Sequence, residues 1–357
     1  MSRKLITIST IMTLMSTSVI ADVPNVAADI SPIHSLVSRV MDGVGAPKLI
    51  VQSGASPHGY RLRPSEAKAL QDADHVFWMG EELTPWLDSA IDTLATKASV
   101  TTLLDQEGII LHDFREGALF EAHDHSAHGD DDHDDHKDHD DHDDHDDHDD
   151  HKDHDDHDDH DDHDDHKDHD DHDDHKDHDD HDDHDDHGSH DPHAWLSPEN
   201  AKLWLNIIAS KLSVSDPENA ATYFMNAAAG QAEIEAMIAE VKATLKPVQG
   251  GKFVVFHDAY QYFENDFDFY ASGAISLGDS SDPSPARIEK VQKRIRDEGI
   301  QCVLAEPQFK KGLVATVMEG SDATASVIDP LGTELEVGPK LYTQIIKNMA
   351  KTLRNCL

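Results

Sequence analysis

Three things are scarce in this 357-residue chain, and each scarcity removes a class of protein. Cysteine occurs only twice, at Cys302 and Cys356, with no C-x-x-C spacing, so a thiolate metal site is excluded. Lysine and arginine together number 29 against 73 acidic residues, and no basic patch exists to neutralise phosphates. That excludes nucleic acid as a natural partner. Long apolar runs are also missing: beyond the N-terminus no segment is long and apolar enough to cross a bilayer.

The N-terminus itself has the form of an export signal. Arg3 and Lys4 precede an apolar run over 5–20 diluted by serine and threonine. Val19-Ile20-Ala21 then supplies the small-residue cleavage pattern, so 1–21 reads as a signal peptide. A membrane anchor is the alternative, and the run is short for a span. No cysteine follows the leader to carry a lipid. In an oxidising compartment the pair Cys302 and Cys356 reads as a disulfide tying the last helix to an earlier strand; two buried free thiols are the alternative.

What the chain has in excess lies in one place. From His133 to His193 a histidine stands at every third position, and nearly everything between is aspartate. Between His123 and His193 lie 37 of the 73 acidic residues and 4 of the 29 basic ones, so the rest of the chain is only mildly acidic. The tract has no apolar face, sets like charges side by side and is rich in a poor helix former, so 123–190 is expected to be a disordered surface loop. Its neutral imidazoles interleaved with carboxylates form a high-capacity ligand for divalent transition metals. Each site in a flexible chain must order its own ligands, which predicts many weak, labile sites. A solvated repeat with no selected role is the alternative.

Outside the tract, short strand-like runs alternate with helical ones, the pattern of a parallel sheet. Strands are expected over 23–28, 48–52, 75–79 and 99–103, with helices over 32–41, 64–72 and 84–94. The second half repeats the scheme, with strands over 252–256, 268–274, 302–305 and 326–328 and helices over 285–297, 312–318 and 339–353. Between the halves, 216–246 is rich in Ala, Glu and Met and opens on Asp216-Pro217-Glu218, a cap, a first-turn proline and an early acid. One long helix is expected there, joining an N-terminal lobe (22–215) to a C-terminal lobe (247–357). Two ordinary helices packed on one lobe are the alternative.

Five histidines lie outside the tract, and two have surroundings suited to a ligand. His58 sits in Gly-Ala-Ser-Pro-His-Gly-Tyr straight after an expected strand, and His257 at the carboxyl end of the first strand of the second half. Ligands of open α/β sheets bind beyond such strand ends. His193, the last member of the repeat, is set apart by Pro192 before it and Trp195 and a helix start after it. His34 on the first helix and His75 in a strand read as structural residues, and His112 borders the loop. Trp78 and Trp195 read as packing residues. No His-Glu-x-x-His helix and no nucleophile–base pairing suggest an enzyme.

These segments resemble the cluster A-I metal-binding proteins of ABC transporters, and among them the zinc-uptake, ZnuA-type branch. The matching pieces occur in order: Gly-Ala-Ser-Pro-His at 54–58, Arg-Pro-Ser at 63–65, His-Ala-Trp-Leu-Ser-Pro at 193–198 and Phe-His-Asp-Ala-Tyr at 256–260. Ala-Glu-Pro-Gln-Phe at 305–309 and Asp-Pro-Leu-Gly at 329–332 complete them. The resemblance implies two α/β lobes with parallel-rich sheets, one long rigid helix and a metal site in the cleft between the lobes. It implies His58, His193 and His257 as ligands of a transported Zn(II), with Asp329 or a bound water as the fourth; an aspartate capping a turn before Pro330 is the alternative for Asp329. Glu306 would contact a ligand histidine from behind. It further implies a monomeric periplasmic solute-binding protein, not an enzyme, that delivers zinc to a membrane permease and its ATPase, with periplasmic zinc chaperones as further candidate partners. Relatives that carry manganese hold a carboxylate where His257 stands, so the third imidazole favours zinc over a Mn(II) reading. A free-standing zinc buffer is the other alternative.

Overall fold

The computed structural model describes residues 23–115, 120, 190–276, 283–308 and 311–357. The expected signal peptide, and the His/Asp tract up to residue 189 with its weak metal sites, lie outside these residues. Among the described residues no helix is long and apolar enough to cross a membrane.

The first lobe is a four-stranded parallel sheet of β1 (Val26–Ala28), β2 (Lys48–Leu49), β3 (His75–Trp78) and β4 (Ser99–Thr102), in the order β2-β1-β3-β4. Its helices are α1 (Ser31–Val40), α2 (Pro64–Asp72) and α3 (Pro85–Leu94). Two helices follow, α4 (Pro198–Ser215) and α5 (Ala220–Leu245). The second lobe repeats the plan with β5 (Phe253–His257), β6 (Ala274–Ser276), β7 (Cys302–Ala305) and β8 (Thr324–Val327), all parallel, in the order β6-β5-β7-β8. Its helices are α6 (Gln261–Phe267), α7 (Pro285–Glu298), α8 (Lys311–Met318) and α9 (Leu341–Cys356). Proline in the first turn marks the start of α1, α2, α3, α4 and α7, where its missing N–H costs nothing and its fixed φ suits the helix.

Strand alternation sorts side chains between two layers. Val26, Ala28 and Phe77 point inward to a core shared by both lobes, while Ala27, Val76 and Trp78 pack outward on Leu70, Leu87 and Ile91 of α2 and α3. In the second sheet Phe253, Val255, Cys302 and Leu304 point inward, and Val254, Phe256 and Val303 pack on Val291 and Ile295 of α7 and on α8. This period places the next inward position of β5 at its carboxyl end, which is His257.

The expected helix over 216–246 begins instead at Ala220, with 26 residues spanning about 39 Å at 1.5 Å each. Asp216 does not cap it. It closes α4, and its carboxylate accepts from the backbone and side-chain nitrogens of Asn219 and, at 2.8 Å, from the Tyr223 hydroxyl. α5 packs on α1 and α4 of the first lobe and on α9 of the second, then leads through a 3-10 turn at Lys246–Val248 into β5. The strand expected over 268–274 is also displaced. Asp268 adopts left-handed backbone (φ 54) as it ends α6, and the strand starts only at Ala274, after Gly273. Most other boundaries differ by a few residues. Cys302 and Cys356 are joined, 5.6 Å apart at Cα, linking β7 to α9. Closing a 54-residue separation contributes about 4 kcal/mol on the chain-entropy account.

A buried carboxylate knits the first sheet at its switch point. Asp29, directly after β1, accepts from the backbone N–H of Ile30 and of Met79, each at 2.7 Å. Burial pushes its pKa up to about 7, and those two N–H groups moderate the rise. A raised folded-state pKa means folding favours the protonated acid. Its contribution is therefore fullest below the unfolded value of 3.8 and is lost as pH climbs to about 7. Across that window Asp29 should cost on the order of 4 kcal/mol of stability. Denaturant unfolding of the parent and of Asp29→Asn from pH 4 to 8 should show the difference between them changing with this sign; a pH-independent difference would show that Asp29 ionises normally.

Candidate metal centre

Three histidines converge on one point. One ring nitrogen each from His58, His193 and His257 lie within 4.8 Å of one another, the one such group among the described residues. Ring centroids are 5.5 Å apart for His58 and His193, 5.9 Å for His58 and His257, and 4.9 Å for His193 and His257. His193 and His257 are buried, whereas His58 is half-buried.

Each imidazole is held differently. His257 ends β5, so the strand ladder fixes its backbone. His193 stands immediately before a single 3-10 turn, Ala194–Leu196. There Trp195 is buried and donates its indole N–H to the Pro330 carbonyl of the second lobe at 3.0 Å, so Trp195 packs at the lobe junction as its sequence setting suggests. Trp78 packs in the outer layer and bonds Thr102. His58 lies in irregular chain between β2 and α2. Gly54 there has φ +85, a conformation that an L side chain rarely adopts, and Trp86 of α3 donates to the Pro57 carbonyl at 2.7 Å. Tyr60 stacks near Trp86 and donates to Glu66, which also accepts the Arg63 N–H at the start of α2.

Carboxylates surround the imidazoles from behind. Asp191 Oδ1 lies 2.6 Å from His193 Nδ1 and 3.0 Å from its backbone nitrogen. A carboxylate there accepts from Nδ1–H and leaves Nε2 with its lone pair, the tautomer a metal requires. Glu306, at the end of β7, lies 3.6 Å from His257 Nδ1 and accepts from Gln308 at 2.6 Å. The buried phenol of Tyr260 is pushed well above its ordinary range by burial and by Glu306 and Asp329. The pKa of Asp258 is raised by burial in spite of Arg115, and the charge of Asp191 adds to the rise.

Asp329 stands apart from this group. Its two oxygens accept from the N–H groups of Leu331, Gly332 and Thr333 at 2.6–3.0 Å and from the Thr333 hydroxyl at 3.3 Å, so the carboxylate caps the turn after β8. The other histidines have structural partners. His34 Nε2 donates to the Pro47 carbonyl at 3.1 Å, and burial lowers its pKa. His75 Nε2 lies 2.6 Å from Ser215 Oγ, which donates to Leu212 and so accepts from the ring. His112 lies against Tyr262 and Asn265 of α6. Asp191 escaped sequence reasoning because it is one aspartate among the tract's 37; only the following Pro192, which ends the repeat's rhythm, distinguishes it.

Comparison with known proteins adds a family to this geometry. The model for ZnuA, zinc-uptake complex component A, periplasmic, matches residues 26–356. The high-affinity zinc uptake system protein ZnuA of Brucella abortus (strain 2308) is 47% identical over 332 residues, covering 93% of this chain and 91% of that protein. Its counterpart in Paracoccus denitrificans is 43% identical over 338 residues, covering 94% and 93%. A crystal structure of ZnuA is similar with a TM-score of 0.67 at 18% identity, over 94% of this chain and 99% of that one. A Mn-bound mutant of a periplasmic metal binding protein from candidatus liberibacter asiaticus reaches 0.63 at 17% identity, over 93% and 100%. At such identities the structures speak for the fold alone, and the fold serves more than one metal.

Replacing Asp191 with Asn should weaken divalent-metal binding about 10- to 100-fold, because the amide can present its N–H to Nδ1 and favour the wrong tautomer. Chelator competition with zinc measures this; an unchanged affinity would mean that His193 needs no carboxylate behind it.

Proposed function

The chain belongs to the ZnuA family of periplasmic zinc-uptake components, and on that premise we propose that His58, His193 and His257 are the protein ligands of the Zn(II) it carries. The convergence of three imidazole nitrogens within 4.8 Å carries the reading. Zinc takes neutral imidazole in a tetrahedral set at about 2.0–2.1 Å, and three nitrogens without a carboxylate favour it over harder Mn(II). Water completes the set, since both Asp329 oxygens are committed to the backbone of its own turn. Glu306 orients His257 from behind. The same donors plus water serve zinc hydrolases; family membership supports capture and transport as the reading.

The protein acts in the periplasm as a monomer, reached through a cleaved leader, and passes zinc to an ABC permease driven by its ATPase. The His/Asp tract adds weak, high-capacity sites that scavenge or report zinc beside the selective one. Imidazole must be deprotonated to bind, so loading of both falls in acid.

Native mass spectrometry after chelation and zinc titration tests the assignment. One slow-exchanging ion plus a ladder of labile ones is expected. His58→Ala or His257→Ala should remove the slow ion, and deletion of 123–189 should remove only the ladder. Retention of the slow ion in either histidine variant would refute the ligand set.

A further inference from the structure

Arg115, eight residues before His123 at the start of the tract, belongs to the first lobe, yet its guanidinium is spent on the second. Nε donates to both oxygens of Asp258 at 3.0 and 3.2 Å, Nη1 donates to Glu264 Oε2 at 2.6 Å, and Nη2 bonds Asp258 and, at 3.4 Å, Glu264. The Phe120 ring covers the guanidinium at 3.6 Å. Asp258 is the residue after His257, and Glu264 lies on α6; both are buried. Two carboxylates so placed need a cation, and a planar fork engages both at once in a way a lysine ammonium does not.

The segment carrying Arg115 is itself fastened. Asp113 and His190 form an antiparallel bridge with a 2.8 Å side-chain contact, and the Asp191 N–H donates to the His112 carbonyl at 2.7 Å. Tyr262 of α6 accepts from the His112 N–H and donates to the Asp191 carbonyl. One paired stem therefore holds Asp191, which orients His193, and Arg115, which grips the residue after His257.

We propose that Arg115 is a positioning residue of the zinc site: it fixes His257 against His193 across the two lobes and thereby sets how slowly the metal leaves. The proposal rests on the three-histidine ligand set above. It differs from mere neutralisation of buried acids, which any cation would satisfy.

Two full-length variants separate these roles. Arg115→Lys keeps the charge and loses the fork. Arg115→Met combined with Asp258→Asn and Glu264→Gln removes the latch and leaves no buried charge unpaired. Both should unfold thermally near the parent, release zinc to excess chelator at least about 10-fold faster, and bind Co(II) with an altered d–d spectrum. Unchanged zinc release and an unchanged Co(II) spectrum in either folded variant overturn the proposal. So does failure of both to fold, which would leave Arg115 a structural role alone. His58→Ala and His257→Ala run alongside: if they keep the slow ion, the ligand set has failed, whereas if they lose it and the Arg115 variants do not differ from parent, only the latch has failed.

Discussion

Two imidazoles from one lobe and one from the other must be held within hydrogen-bonding precision, and a single apolar core running through both lobes makes that possible. The inner faces of the two sheets share it with α4, α5 and α9, and Trp195, Trp204, Tyr262 and Tyr342 are fully buried in it. Several of its polar atoms bond across the junction. Trp195 donates to Pro330, Tyr342 to the carbonyls of Trp195 and Ser197, and Ser35 to Gly338, while the Tyr342 N–H returns to Ser35. Close packing with directional bonds resists small displacement, because a shift would open voids and orphan buried donors together. The lobes thus present their ligands from a common frame.

Within that frame the three imidazoles differ in what holds them. His257 is fixed by a strand ladder, and His193 by a carboxylate, a 3-10 turn and a buried indole. His58 rests on irregular chain that one indole bond and a Tyr–Trp contact support. The buried carboxylates behind, Asp191, Asp258 and Glu306, supply negative potential that favours a cation without themselves joining the donor group.

Much of this was legible in the chain because the chemistry falls at element ends. The alternation of strand-like and helical runs gave away two parallel sheets, and strand ends pointed to His257 and to the loop of His58. Three features resisted. α6 is short and follows the Phe-His-Asp-Ala-Tyr motif directly, so no apolar period announces it. The start of α5 misled because Asp216-Pro217 has the composition of a helix entrance while Asp216 serves the preceding helix and Tyr223. Arg115 shows the limit more plainly. Its partners sit on a lobe some 140 residues later (Asp258 lies 143 away), a distance at which no local pattern carries information.

The stem explains how a repeat so extreme coexists with a precise site. Asp113 and His190 pair, Tyr262 binds both flanks, and His193 is set by Asp191 and Trp195. Among the described residues, the contacts that place His193 lie at or outside the paired ends. His193 keeps the repeat's spacing, three residues after His190, yet its setting is the fold's, because Asp191 holds its ring and Trp195 packs against it.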